Sequence, residues 1–344
     1  MFFTGIEMSN KIYIIAEIGN NHNGSVKKAK KLIDVAKKAG VDAVKFQSFR
    51  GKDIVATNVL TSNYPSWDDG TYKYWYQFLD SIALPLAAHQ ELIDYSNENK
   101  LDFITTPVSS DILDYLEQLS GIFAYKIASM DLTNHDLLNS LSKTNKNLIL
   151  STGMGTLDEI SKSLGMINNK NVSILHCISD YPLSPINANL SNINILQTKF
   201  PNNNIGFSDH SLGHELSLLA VNFGARIIEK HITLDRNDPL KAEHHFALEP
   251  KELATLVKWL RVFEKNSNLT TWQRSTEEKK ITTLFRRSFR YKKDLQKNQI
   301  LTEDDLTYIR PGEGIGMEEK NLVIGKKLKK NIKQNEACLV EHVY

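Results

Sequence analysis

Along most of the chain, short apolar runs rich in β-branched residues alternate with longer segments whose apolar positions recur every three or four residues. The runs are IYIIAEI (12–18), DAVKFQS (42–48), LDFITT (101–106), AYKIAS (124–129), NLILST (147–152), VSILHC (172–177), NIGFSD (204–209) and RIIEKH (226–231), and each predicts a strand. Segments such as SVKKAKKLIDVAKKAG (25–40), HQELIDYSNENK (89–100) and HELSLLAVNFGA (214–225) predict helices between them. Strands alternating with helices imply a parallel sheet covered by helices. Eight such units over roughly 250 residues match a closed (β/α)8 TIM barrel better than an open doubly wound sheet.

Two regions depart from this rhythm. The stretch between 50 and 90 is longer than one crossover helix requires and carries Tyr64, Trp67, Tyr72, Tyr74, Trp75 and Tyr76. It reads as an insertion after the second strand, either a lid or an aromatic loop packed on the barrel. After the helix ELATLVKWLRVFEK (252–265) comes the polar stretch NSNLTTWQRSTEEKK, and beyond it short runs separated by polar turns. The expected organisation is a barrel over 1–265, a linker over 266–284 and a small β-rich domain over 285–344.

Composition narrows the function classes. With 344 residues, 41% of them apolar, the chain can bury a substantial core. Its 42 Lys and Arg against 40 Asp and Glu leave a net charge of +2, which gives no general electrostatic case for nucleic acid or a membrane surface. No apolar run approaches the length of a bilayer span, and the opening MFFTGI lacks the features of a secretory leader, so a cytoplasmic location is expected. Cys177 and Cys338 read as thiols rather than a disulfide.

The candidate chemistry sits where the strand runs end, because the strand-to-helix loops of a parallel barrel open on one face. Those ends offer Glu17, Asn21 and His22; Lys45 and Gln47; Thr105 and Thr106; Lys126, Ser129 and Asp131; Ser151 and Thr152; His176; Ser208, Asp209 and His210; and Glu229 and His231. Side-chain alternation puts Ser208 with His210 on one face, and Glu229 with His231 on the matching face of the next strand. Two adjacent strand ends then present two imidazoles to one point, which suits a divalent metal with open positions. The alternative is two hydrogen-bonded barrel histidines. His244 and His245 are further metal candidates or simply polar surface, and the spacing of His210 and His214 makes a weaker helical pair.

Lys45 and Lys126 each interrupt an apolar strand, where an isolated ammonium is costly unless an anion compensates it. With Thr106, Ser129, Ser151 and Ser208 they form a phosphate and carboxylate pocket. A Schiff-base lysine or a solvated strand-tip lysine are the other readings. Gly19, Gly24, Gly153 and Gly155 mark strand-to-helix turns, and STGMG lacks the spacing of a dinucleotide fingerprint.

The ordered series AEIGNNHNGS (16–25), VKFQSF (44–49), TTPVSS (105–110), YKIAS (125–129), LSTGM (150–154), LHCISDYP (175–182), GFSDHS (206–211) and IEKHITLD (228–235) resembles that of the sialic acid synthases. RPGEGIG (310–316) resembles their antifreeze-like, or SAF, domain. The resemblance implies condensation of phosphoenolpyruvate with the open-chain aldehyde of an N-acetylated amino sugar, giving a nine-carbon 2-keto-3-deoxy acid and phosphate. It implies that His210 and His231 hold a divalent ion, manganese in the usual case, with magnesium or cobalt as alternatives. Lys45, Thr106, Lys126, Ser129, Ser151 and Ser208 would bind phosphoenolpyruvate, while Glu17, Ser179 and Tyr181 would face the sugar. It further implies a domain-exchanged homodimer in which Arg310 crosses to the partner's sugar. Asp131 would act on the attacking water where relatives carry Glu, and Glu243 stands for a sugar-binding Asp in KAEHHFALEP, whose usual form is closer to GPDHKFSLEP. Ser179 replaces an Asn found in some relatives. Sister enzymes making legionaminic or pseudaminic acid share this chemistry, and a metal-dependent aldolase is the more distant alternative.

Overall fold

The computed structural model describes residues 11–64, 70–167, 171–239, 243–266 and 271–344. Eight parallel strands close into a barrel in sequence order: β1 (Tyr13–Gly19), β2 (Ala43–Ser48), β3 (Asp102–Pro107), β4 (Ile122–Ile127), β5 (Asn147–Ser151), β6 (Val172–Cys177), β7 (Asn204–Asp209) and β8 (Ile227–His231). β1 pairs with both β2 and β8, which completes the ring. The architecture is the (β/α)8 barrel that the alternation of runs predicts.

Period-two alternation within each strand builds the site. The inward-facing residues Tyr13, Ile15, Ala43, Ile104, Ala124, Ile149, Leu175 and Ile227 pack into one apolar cluster that plugs the barrel. Two residues further along the same strands come Glu17, Lys45, Thr106, Lys126, Ser151, Cys177 and Glu229, which line a cavity. Because side chains alternate, the residue at i+2 lies on the same face one layer up. The polar layer therefore rests on a dry floor. Outward-facing residues such as Ile14, Ala16, Val44, Phe103, Tyr125 and Phe207 join Leu32, Ile33, Leu92, Leu137 and Leu256 of the helices in the main core.

The helices follow from local signals. Helix Val26–Ala39 starts at Ser25, whose hydroxyl accepts from the Lys28 amide, and ends at Gly40 in the left-handed region. Its buried residues Ala29, Leu32, Ile33 and Ala36 recur at helical spacing. Helix Leu157–Met166 opens with a reciprocal capping box: the Thr156 amide donates to Glu159 Oε2 at 2.7 Å and the Glu159 amide to Thr156 Oγ1 at 3.3 Å. Thr156→Ala is expected to cost about 1 kcal/mol of stability, read as a lower midpoint in urea denaturation.

The insertion folds as a satellite core. Phe49, Trp75, Phe78, Leu79, Ile82 and Val108 are buried together, helix Trp75–Ile82 supplying four of them. Tyr64 stacks on Trp75 at 4.6 Å and Tyr72 meets the edge of Phe78. Its described aromatic residues thus pack on one another and beside Phe49 and Val108, which follow β2 and β3; Trp67 lies outside the described residues.

The chain forms two compact units, Met1–Asn268 and Leu269–Tyr344. The stretch expected to link the domains contains helix Thr276–Phe285, which buries none of its residues and belongs to the second unit. In that unit β9 (Ser288–Tyr291) pairs antiparallel with β10 (Leu306–Ile309), over a core of Phe289, Tyr291, Leu295, Leu301, Leu328 and Ile332. Cys177 and Cys338 are free and buried. Among the described residues, no helix is long and apolar enough to cross a membrane.

Candidate active site

A cavity of about 390 Å³ opens at the carboxyl ends of the strands, within the size range of small-molecule sites. At its base Lys45 Nζ lies 3.0 Å from Glu17 Oε1 and 3.6 Å from Glu229 Oε2. Lys126 Nζ donates to Ser151 Oγ and lies 3.7 Å from Glu229 Oε1. Ser208 Oγ donates to the same oxygen at 2.7 Å, and Gln47 Nε2 donates to Glu17 Oε1 at 3.3 Å. The two lysines are therefore compensated from within by carboxylates on β1 and β8. This is how the barrel tolerates buried ammoniums.

The electrostatics follow from this layout. Burial pushes the Glu229 carboxyl up, but Lys126, Lys45 and the Ser208 hydroxyl outweigh it and hold it down at about 2. Glu229 is thus a fixed anion between two cations. Burial raises the Glu17 carboxyl above its ordinary range, and Lys45 offsets this only in part. Burial lowers the Lys126 amine, while Glu17 and Glu229 overcome burial to raise that of Lys45.

At the next level up stand the two histidines, their ring centroids 5.4 Å apart. His210 Nδ1 lies 2.8 Å from the Ile178 carbonyl. A carbonyl can only accept, so Nδ1 carries a proton, and in the neutral ring Nε2 is the nitrogen with the lone pair. His231 Nδ1 lies 3.3 Å from Glu243 Oε2. Phe246 packs its ring against His231, Tyr181 and His210, which fixes all three from one side. With its tautomer set and a second imidazole beside it, this pair has the donor chemistry of a divalent-ion site. Among the described residues no group of three or more His, Cys, Asp or Glu side chains is arranged to hold a metal ion.

The structure brings together most of the residues singled out from sequence. Glu17, Lys45, Thr106, Lys126, Ser129, Ser151, Ser179, Tyr181, Ser208, His210, His231 and Glu243 all line the cavity. Asp131 does not. It sits in the turn Ser129–Asp131 with Oδ1 accepting from Asn134 Nδ2 at 3.0 Å, and Met130, not Asp131, reaches the cavity. The shorter aspartate arm is captured by its own turn, and burial raises its carboxyl. Glu17, expected toward the sugar, is drawn down onto Lys45. Arg310 belongs to the second unit, where its guanidinium lies over the Phe285 ring. His244 is bonded to Thr233 and Asn23, and neither it nor His245 or His214 lines the cavity.

Two contributors escaped the sequence reading and a third was legible only in part. Glu229 was legible as an inward residue two places before His231, but not as the shared counter-ion of lysines on two other strands. Cys177 lies between Ser129 Oγ and His210 Nδ1, at 3.7 and 3.9 Å. Phe246 gave no signal beyond an aromatic residue in a polar loop. Gly19 has a clear reason to be glycine: it adopts φ +54°, and a Cβ there would lie 2.3 Å from Glu243 Oε2.

Comparison with known proteins agrees with the motif series. The NeuB family pattern matches residues 32–270 and the SAF domain matches 286–337. The chain is 37% identical to the N,N'-diacetyllegionaminic acid synthase of Campylobacter jejuni over 95% of its own length and 98% of the relative. It is 31% identical to the pseudaminic acid synthase of the same species, over 95% of both chains. The crystal structure of the N-acetylneuraminic acid (sialic acid) synthetase of Leptospira borgpetersenii superposes with a TM-score of 0.70 at 32% identity, covering 79% of this chain and 90% of that one.

Proposed function

The chain belongs to the NeuB family and carries a SAF domain, and on that premise we propose that it condenses phosphoenolpyruvate with the open-chain aldehyde of an N-acetylated amino sugar. The products are a nine-carbon 2-keto-3-deoxy acid and phosphate, with N-acetylmannosamine or a close relative as the sugar. One observation supports the reading above others. Thr106 Oγ1, Ser179 Oγ and Glu17 Oε2 are buried without a hydrogen-bond partner, and all belong to residues lining one cavity. Buried polar atoms are rarely left unpaired. The hydroxyls beside two ammoniums fit an anion, and the free carboxylate oxygen fits the hydroxyl and amide donors of a sugar.

The reaction joins the enol carbon of phosphoenolpyruvate to the aldehyde carbon. Positive character develops at C2, water adds there, and phosphate leaves with cleavage of the C–O bond. Lys45 and Lys126 hold the anionic ester in register, turning an encounter into a positioned reaction. Glu229 fixes the spacing of the two ammoniums, and Thr106, Ser129, Ser151 and Ser208 supply hydroxyls around them. Tyr181 and Ser179, on the loop after β6, face the sugar. A divalent ion, manganese in our reading with magnesium or cobalt as alternatives, would be held by His210 and His231 and would supply Lewis-acid polarisation of the aldehyde oxygen. The added water must lose a proton to a carboxylate. Glu17 and Asp131 each keep one unpaired carboxylate oxygen, but only Glu17 lines the cavity, so we assign the proton exchange to Glu17. The exchanged homodimer with Arg310 reaching a partner's sugar is part of the same proposal.

The 37% identity to an N,N'-diacetyllegionaminic acid synthase favours, as a second reading, a sugar with two acetamido groups. The test is phosphate release from phosphoenolpyruvate with N-acetylmannosamine, diacetylated bacillosamine-derived sugars and altrosamine derivatives, each with and without a chelator. Release is expected to require one of the sugars and to stop on chelation. In water labelled with oxygen-18 the label should enter the keto acid. Label in phosphate, or release that ignores the sugar, would overturn the proposal.

A further inference from the structure

On the outer face of the same two strands lies a buried ion pair that the chemistry above does not use. β7 and β8 run in register, Ser208 opposite Glu229 and Asp209 opposite Lys230. Alternation turns Ser208 and Glu229 inward and sends Asp209 and Lys230 outward, beneath helix Glu215–Asn222. Lys230 Nζ lies 3.2 Å from Asp209 Oδ1, and both side chains are 0% exposed.

The pair is tied on every side. Asp209 Oδ1 accepts from the Ser211 amide at 2.8 Å and from Ser211 Oγ at 2.6 Å, and Oδ2 accepts from Ser217 Oγ at 2.5 Å. Lys230 Nζ donates to the Ser211 carbonyl at 2.5 Å. His210 is therefore clamped between Asp209 and Ser211, both members of the network, and His231 follows Lys230 directly. Two apolar side chains of similar volume would fill this space with equal or better stability, since desolvating an ion pair costs about what its attraction returns. What they would lack is a fixed register between the strand ends.

We infer that Asp209 and Lys230 are positioning residues that set the separation of His210 and His231, and so the geometry of the divalent-ion site. The inference rests on the two-histidine reading of that site. It is tested in the full chain with Lys230→Met, which leaves the hydrogen bonds to Asp209 in place, and with the neutral double variant Asp209→Asn, Lys230→Met. Manganese affinity is measured without substrate by electron paramagnetic resonance of the unbound ion, alongside the thermal midpoint. The His210 Nδ1–H resonance is followed by histidine-labelled NMR without metal.

Removing support behind a metal ligand typically weakens binding ten- to a hundredfold. We expect a rise of about that size in the manganese dissociation constant of both variants, even where the double variant melts near wild type, together with a moved or broadened His210 resonance. Wild-type affinity and an unmoved resonance in the double variant would overturn the inference. A His210→Ala control separates the two readings: if it binds manganese as wild type does, or if wild type binds none, the metal reading falls. The metal-free resonances then decide the positioning claim alone, an unmoved signal refuting it and a moved one supporting it.

Discussion

His231→Ala is expected to lower kcat by roughly a thousandfold while leaving the KM for phosphoenolpyruvate within about threefold of wild type. The magnitude follows from the several kcal/mol that polarisation of a reacting oxygen contributes, at one factor of ten for each 1.36 kcal/mol. The asymmetry follows from the layering of the cavity. Lys45 and Lys126, on β2 and β4, make contacts with Glu17, Glu229 and Ser151 that do not include the His231 ring. The lost imidazole faces His210 and Phe246 instead. A loss confined to the chemical step, with manganese binding gone, supports the assignment. Activity that stays at the wild-type level, or a loss carried entirely by the KM for phosphoenolpyruvate, contradicts it.

The barrel was readable because its signal is local. In IYIIAEI the alternation that makes Ile15 a floor residue also makes Glu17 a site residue, and DAVKFQS repeats this with Ala43 and Lys45. The same rule in NIGFSDH and RIIEKH led to neighbouring histidines, whose rings stand 5.4 Å apart. What alternation cannot show is contact across the ring. Glu229 on β8 pairs with lysines on β2 and β4, and no spacing within any one run encodes that meeting. Nor does it show where a side chain turns once its strand has ended. Asp131 lies past the end of β4, where its bond to Asn134 decides its direction. Phe246 reaches the histidines from a loop more than ten residues beyond β8, so its place depends on how that loop folds back, with Leu248 donating its amide to the His231 carbonyl at 2.8 Å.

Lys126→Met should fail in the opposite manner, with the KM for phosphoenolpyruvate rising and that for the sugar little changed. Truncating one member of a buried, hydrogen-bonded charge pair costs about 2 to 5 kcal/mol, or roughly 30-fold to several thousandfold in affinity for the anion it holds. Methionine keeps the length and apolar stem of lysine, so the dry layer of Ile149 and Leu175 below stays filled. Glu229 retains Ser208 at 2.7 Å and Lys45 at 3.6 Å, and the barrel should therefore still fold. The same variant separates anion binding from covalent catalysis. A Schiff-base lysine would be trapped by borohydride in the presence of a carbonyl substrate, leaving a mass increment on Lys126 of the wild type. Anion binding forms no covalent bond to Lys126, which donates to Ser151 and lies 3.7 Å from Glu229, so on this reading no increment is expected. Borohydride trapping at Lys126, or a variant with unaltered affinity for phosphoenolpyruvate, would remove the lysine pair from the mechanism and leave the two histidines to be explained alone.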